Sequence, residues 1–255
     1  MAVTTVPYTA NAMPERKQNK RAAVRSSERA AVAVPVVFCY HGAEVRIVLR
    51  LYSVKKTEKI IRAYSPWIEE LSARYGIPAA CIKAMLRKEV ADIDILDPIA
   101  DTLVWLNYLR DDVRQALYRR GLVKTETSRR RNGALGKRDS STGWAQIFAF
   151  VAVNAGNYAL EHGLDTADVL GLPASRESMW RRLRRDKKFN LRMGALNLLA
   201  AGEEVNGHTD FSRYTSEDYM RMFTRYNADT RTITPYGREV YRFYEQFLSD
   251  PEDQR

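Results

Sequence analysis

The stretch "KAMLRKEVADID", Lys83 to Asp94, decides how this chain is read. Ile82, Met85, Leu86, Val90 and Ile93 recur at three- and four-residue spacing, which winds them into one apolar stripe of a helix. Glu89 falls on the same stripe. The helical turns before and after it offer Met85, Leu86, Asp92 and Ile93, none of them basic. A carboxylate facing apolar surroundings has its charged form destabilised, and Asp92 pushes in the same direction. The spacing therefore predicts a raised pKa and a group suited to general-acid work near neutral pH. The competing reading puts Glu89 at the edge of the stripe, bonded to a lysine or arginine from elsewhere in a chain with 41 basic and 31 acidic residues.

Outward from that stretch, the pattern from about Lys55 onward predicts helix after helix. "SPWIEELSARYG" offers Ser65 as an N-cap, Pro66 at the first helical position and Gly76 as a terminator. The helix carrying Glu89 is expected to start near Pro78. A third, from Asp97, aligns Ile99, Leu103, Leu106, Leu109 or Arg110, Val113 and Leu117 on one face and stops at Gly121. "KTETSRRRNGALGKRDSSTG" then reads as a long surface loop. Beyond it, "WAQIFAFVAVNAGNYALEHG" is an apolar helix ending at Gly163. "DKKFNLRMGALNLLAAGEEVNG" sets Phe189, Met193, Leu196 and Leu199 or Ala200 on one stripe. Thr215 and Asp218 form a carboxylate capping box ahead of Tyr219, Met222, Phe223 and Tyr226. The last helix aligns Tyr236, Val240, Phe243 and Phe247. Upstream, "VPVVFCYHGAEVRIVLRLYS" reads as a short β-hairpin within residues 31–54, and residues 1–30 as a flexible, disordered basic tail. The expected fold is mainly α.

Composition narrows the function classes. The 255 residues are 45% hydrophobic and 28% charged, ordinary for a globular chain, and the net charge of +10 favours a polyanionic partner. Cys39 and Cys81 make no disulfide framework, and His41, His162 and His208 match no ligand spacing, so neither a metal site nor a cofactor is expected. No apolar run approaches the ~18 residues of a transmembrane helix. "AAVAVPVVFCYHG" lies too far from the start, and contains Pro35, for an ordinary secretory signal.

Four segments in order, "IPAACIKAMLRKEVADID", "SSTGWAQIF", "NLRMGALNLLAAGEEVNG" and "RYNADTRTITPYGREVYRFYEQF", resemble the signatures of the soluble lytic transglycosylase and goose-type lysozyme family. The resemblance covers roughly residues 62–248, apart from 95–138, which looks like an insertion. It implies a lysozyme-like helical domain over 55–250. It makes Glu89 the catalytic acid, Gly143 and Gln146 cleft residues of a Gly-x-x-Gln-Ile turn, and Asn190 and Gly194 support for the third signature. Tyr226, Asn227 and Tyr236 would line the cleft. The chain departs from the family pattern at Val90, where a serine is usual, at Trp144-Ala145 in place of Leu-Met, and at Asp229 in place of glycine.

The resemblance implies cleavage of the β-1,4 bond between N-acetylmuramic acid and N-acetylglucosamine in peptidoglycan, Glu89 acting first as acid and then as base, with a 1,6-anhydro product. A hydrolytic, lysozyme-like outcome would need a second carboxylate to hold water. Asp139 is the best candidate, ahead of Asp92 and Asp94, while its bland reading is a turn residue bonded to nearby backbone. Trp144 and the tyrosines could stack on sugar rings. The expected partner is the glycan strand, with the bacterial cell wall as the place of action. Phage-type lysis, a dedicated secretion apparatus, packaging in a virion or an upstream start codon could deliver the protein there. The rival class is a basic nucleic-acid-binding or virion structural protein, on the evidence of the basic tail, "SRRRNGALGKR" and "MWRRLRRDKK". No nucleic-acid-binding signature accompanies those runs, so nucleic acid is the less favoured partner. A lysozyme-like fold that binds glycan without cutting it is a third reading, and the sequence leaves the oligomeric state open.

Overall fold

A computed structural model describes residues 36–41, 44–124 and 138–249, the part before Arg50 by its backbone alone. The tail expected at 1–30 and most of the loop expected after Leu122 lie outside these residues. The backbones of β1 (Val36–His41) and β2 (Glu44–Leu49) pair antiparallel, Val36 opposite Leu49 and His41 opposite Glu44. The remainder is mainly α-helical: α1 (Val54–Tyr75), α2 (Ala79–Asp92), α3 (Leu96–Arg119), α4 (Ala149–Glu161), α5 (Ala167–Leu170), α6 (Arg176–Arg185), α7 (Lys187–Asn206), α8 (Ser216–Asn227) and α9 (Pro235–Ser249).

α7 is the axis of the core. Asn190, Leu191, Met193, Gly194, Ala195, Leu196 and Leu198 point in all directions around it and all are buried. That is the sequence of a helix surrounded by others, and α8, α4, α6 and α1 pack on it, while α2 lies between α1 and α9. The capping box of Thr215 and Asp218 starts α8 as expected.

Two helices differ from expectation. α1 begins eleven residues before Ser65, capped by Ser53, whose hydroxyl accepts the Lys56 amide at 3.3 Å. It runs straight through Pro66. Proline in a helix interior costs about 3 kcal/mol through the lost backbone bond and the ring clash. Here Ile60, Ile61, Ile68, Leu71 and Tyr75 are buried on both sides of it at helical spacing, and their burial outweighs that loss. Ser65 is not a cap: its hydroxyl donates to the Ile61 carbonyl one turn back.

α3 turns its apolar stripe the other way. Ile99, Leu106, Leu109 and Val113, expected in the core, are 52%, 47%, 39% and 52% exposed. The buried residues are Val104, Asn107 and Tyr108 on the opposite side. Polar anchors fix that orientation. Asp101 accepts the hydroxyls of Ser140 at 2.7 Å and Thr142 at 2.9 Å, Tyr108 donates to the Arg138 carbonyl, and Arg181 of α6 pairs with Asp112 at 2.9 Å.

Candidate active site

Glu89 lies in the last turn of α2 and is only 7% exposed. The hydroxyl of Tyr236, in the first turn of α9, donates to its Oε1. Among the described residues no lysine or arginine pairs with it. Its neighbour Lys88 is held elsewhere, 2.7 Å from Asp92 and 2.7 Å from Glu239. The ion pair that the sequence left open for Glu89 is therefore not made. Burial pushes its carboxyl up from an ordinary 4.5 to about 8. The Tyr236 bond pulls it back, the Asp92 charge pushes it up and the Lys88 charge pulls it down. Removing a carboxylate from water outweighs one hydroxyl donor. Burial, and then the nearby Glu89 charge, hold the hydroxyls of Tyr226 and Tyr236 far above the ordinary tyrosine value, so both remain donors.

The "TGWAQI" segment forms a tight turn and not the start of α4. Thr142 and Ile147 exchange backbone hydrogen bonds of 3.3 Å across it. Asn190 of α7, completely buried, clamps the turn from below: its Nδ2 donates to the Thr142 carbonyl at 2.9 Å and its Oδ1 accepts the Ala145 amide at 2.8 Å. Gly143 stands at φ 75°, and a Cβ there would lie 2.3 Å from Asn190 Nδ2, so both conformation and space require glycine. A Cβ on Gly194 would lie 2.7 Å from that of Ala145, so its absence lets α7 approach the turn. Tyr226 of α8 donates to the Ala145 carbonyl at 2.6 Å, tying a third element to the same turn. Gln146, at φ 42°, adopts a left-handed conformation that costs a non-glycine residue about 1–3 kcal/mol, and its Nε2 donates to the Gly143 carbonyl at 2.8 Å.

These elements enclose a cleft of about 750 Å³. Glu89, Gln146, Tyr226, Asn227 and Tyr236, separated by as many as 147 positions in the chain, meet on its walls. Of the other residues singled out in the sequence, Asp92 lines it, whereas Asp94, Gly143, Trp144 and Asp139 do not. Gly143 supports the turn from behind. Trp144 faces away, its ring edge-on to Tyr64 at 4.4 Å with the Lys187 ammonium 5.6 Å from its centre. It is part of the packing of α1 against the turn, not a sugar platform. Asp139 is a helix cap: its two oxygens accept the Ala149 amide at 3.0 Å and the Phe150 amide at 3.2 Å, at the start of α4. Asn190 and Gly194 hold the turn.

The cleft also contains residues that the sequence reading passed over. Asn154 of α4 and Asn197 of α7 add carboxamides, Asp97 adds a half-buried carboxyl raised by burial, and Phe148 and Phe150 add exposed rings 5.7 Å apart. A signal for the two asparagines existed. Each interrupts an otherwise apolar helical run, "FVAVNAG" and "GALNLLAAG", in the way that Glu89 interrupts its own. Among the described residues no group of three or more His, Cys, Asp or Glu side chains could hold a metal ion, and no helix is long and apolar enough to cross a membrane.

No family model, curated protein or solved structure matches the chain.

Proposed function

We propose that the chain is a peptidoglycan-cleaving enzyme of lytic-transglycosylase type with a lysozyme-like helical domain, and that Glu89 is its proton donor. The observation that carries this reading is a buried carboxyl on the wall of a 750 Å³ cleft, free of cationic partners among the described residues and raised to about 8. At neutral pH such a group is mostly protonated. It can hand its proton to the glycosidic oxygen between N-acetylmuramic acid and N-acetylglucosamine as the bond to the anomeric carbon breaks. The resulting Glu89 carboxylate, now an uncompensated buried charge, takes the proton of the sugar's own 6-hydroxyl as that oxygen closes on the anomeric carbon. The product is a 1,6-anhydro sugar, the acid is regenerated, and no second carboxylate is required.

The surroundings suit that substrate class. Gln146, Asn154, Asn197 and Asn227 offer neutral amide donors and acceptors suited to hydroxyl and acetamido groups. Phe148 and Phe150 supply the exposed aromatic faces first expected of Trp144. The positive net charge would concentrate the protein on an anionic wall. A hydrolytic outcome through Asp139 is disfavoured, because both of its oxygens are bonded to backbone amides and it does not line the cleft.

The test is digestion of purified peptidoglycan with mass analysis of the soluble products. Anhydro-muropeptides are expected; reducing muropeptides would redirect the mechanism to hydrolysis. No release by the wild-type chain, or undiminished release by Glu89→Gln, would remove the proposal.

A further inference from the structure

α9 presents two residues one turn apart to two consecutive residues of α2. Tyr236 donates to Glu89, and the Glu239 carboxylate accepts from the Lys88 ammonium at 2.7 Å. Lys88 is buried, its ammonium also lies 2.7 Å from Asp92, and the centre of the Tyr236 ring is 5.8 Å from it. An ammonium drawn out of water requires anionic partners, and Glu89 is the next carboxyl along the helix. We propose that Glu239 is a positioning residue for Glu89: its carboxylate anchors the Lys88 ammonium to α9 and keeps it from pairing with the acid. The inference rests on the reading of Glu89 as proton donor.

The surrounding groups leave this task to Glu239. Asp92, the other partner of Lys88, is shared with Arg50 at 3.3 Å, and its side chain is 40% exposed. Two cations thus divide one half-exposed carboxylate, and Glu239 supplies the second negative charge that balances them. The other groups facing Glu89 carry no positive charge: Asp97, at the start of α3, pushes its carboxyl up, and Tyr226 of α8 and Tyr236 of α9 keep their protons. α1, also packed on α2, pairs with it through Glu69 and Lys83 at 3.0 Å, six residues before Glu89. With Glu239 neutralised, the Lys88 ammonium keeps its share of Asp92 and gains a second anion by turning to Glu89. Such a pair favours the charged form of Glu89 and strips it of the proton it donates.

The test is a double-mutant cycle on positions 239 and 88 of the full chain, read by the midpoint of the Glu89 carboxyl-carbon NMR shift. That readout needs no substrate, so it and the glycan assay can fail separately. Glu239→Gln should lower the midpoint by about one pH unit or more, the range of an opposite charge brought within reach of a carboxyl. The alkaline limb of the pH–rate profile should move down with it. Glu239→Asp keeps the charge but shortens the arm; it should give a smaller fall of the same sign, and it takes the place of Glu239→Gln in the cycle if that variant does not fold. In a Lys88→Met background, Glu239→Gln should lower the midpoint by less, since only the field of the lost carboxylate remains to act. An unmoved or raised midpoint in Glu239→Gln overturns the proposal, because the ammonium then stays in place without its anchor. A fall as large or larger in the Lys88→Met background also overturns it, because Glu239 then acts through its own charge and not through Lys88.

Discussion

Glu89 and Asp139 are both carboxyls drawn away from water, and burial raises the pKa of both. Their partners separate them. Asp139 accepts two backbone amides at the start of α4, where the helix dipole also favours a negative charge. Glu89 accepts one tyrosine hydroxyl, and it lines the cleft. Burial alone does not distinguish an acid from a cap. What distinguishes them is whether the oxygens are already taken by the fold and whether a ligand could reach them.

The largest difference is expected from Glu89→Gln. Glutamine keeps the shape and can still accept from Tyr236, but it has no proton to give. Release of glycan fragments should fall by about 10²–10⁴-fold, the usual contribution of a general acid. The same change should stabilise the fold at high pH. Between pH 4.5 and about 8 the unfolded chain has released the Glu89 proton while the folded chain retains it, so stability falls as pH rises through that window and stays low above it. At about 1.36 kcal/mol per pH unit, the penalty that glutamine removes has an upper limit of about 5 kcal/mol. Thermal melts at pH 9 and pH 4.5 read it directly: the gain belongs to pH 9, and an equal gain at both would mean that the carboxyl is not titrating as described.

Asp139→Ala should do the reverse. It leaves two amides at the head of α4 without their acceptor, and the loss of a cap costs about 0.5–2 kcal/mol. Denaturation in urea should detect that loss, while turnover stays within a few-fold of wild type. A collapse of turnover at preserved stability would make Asp139 a second catalytic carboxylate and erase the contrast with Glu89.

The extent to which this was legible in the sequence follows from the same contrast. Helices with one buried face and an unambiguous cap were readable, as α8 was from Thr215 and Asp218. α7 gave only one of its faces to periodicity, because a helix buried all round has no polar side to define the stripe. α3 misled, since its apolar stripe was real but faced outward. The contacts that orient it come from Ser140, Thr142 and Arg138, some thirty to forty positions away, which a local spacing rule cannot register. Glu89 was found as a misplaced polar residue, and the same rule applied to Asn154 and Asn197 would have found two more cleft residues. The capping role of Asp139 depends on where α4 begins, which was misread by five residues because the clamp on the turn is Asn190, 45 positions downstream of Ala145.

The smallest expected effect tests how Glu89 is held. Tyr236 donates to the charged form more favourably than to the neutral one, so its hydrogen bond lowers the Glu89 pKa against the dominant push of burial. Tyr236→Phe removes the donor while keeping the ring, so the carboxyl should titrate at a still higher pH. At pH 7 the acid is already protonated, and the rate there should change by no more than a few-fold. The alkaline limb of the pH–rate profile should move upward, as should the midpoint of the carboxyl-carbon NMR shift of Glu89, which needs no substrate. The two readouts together separate the hydrogen bond from general damage to the cleft, since a disturbed site that admitted water would lower the midpoint. An unmoved midpoint would mean that Tyr236 does not hold Glu89, and the difference between a free acid and a bonded cap would then have to rest on cleft access alone.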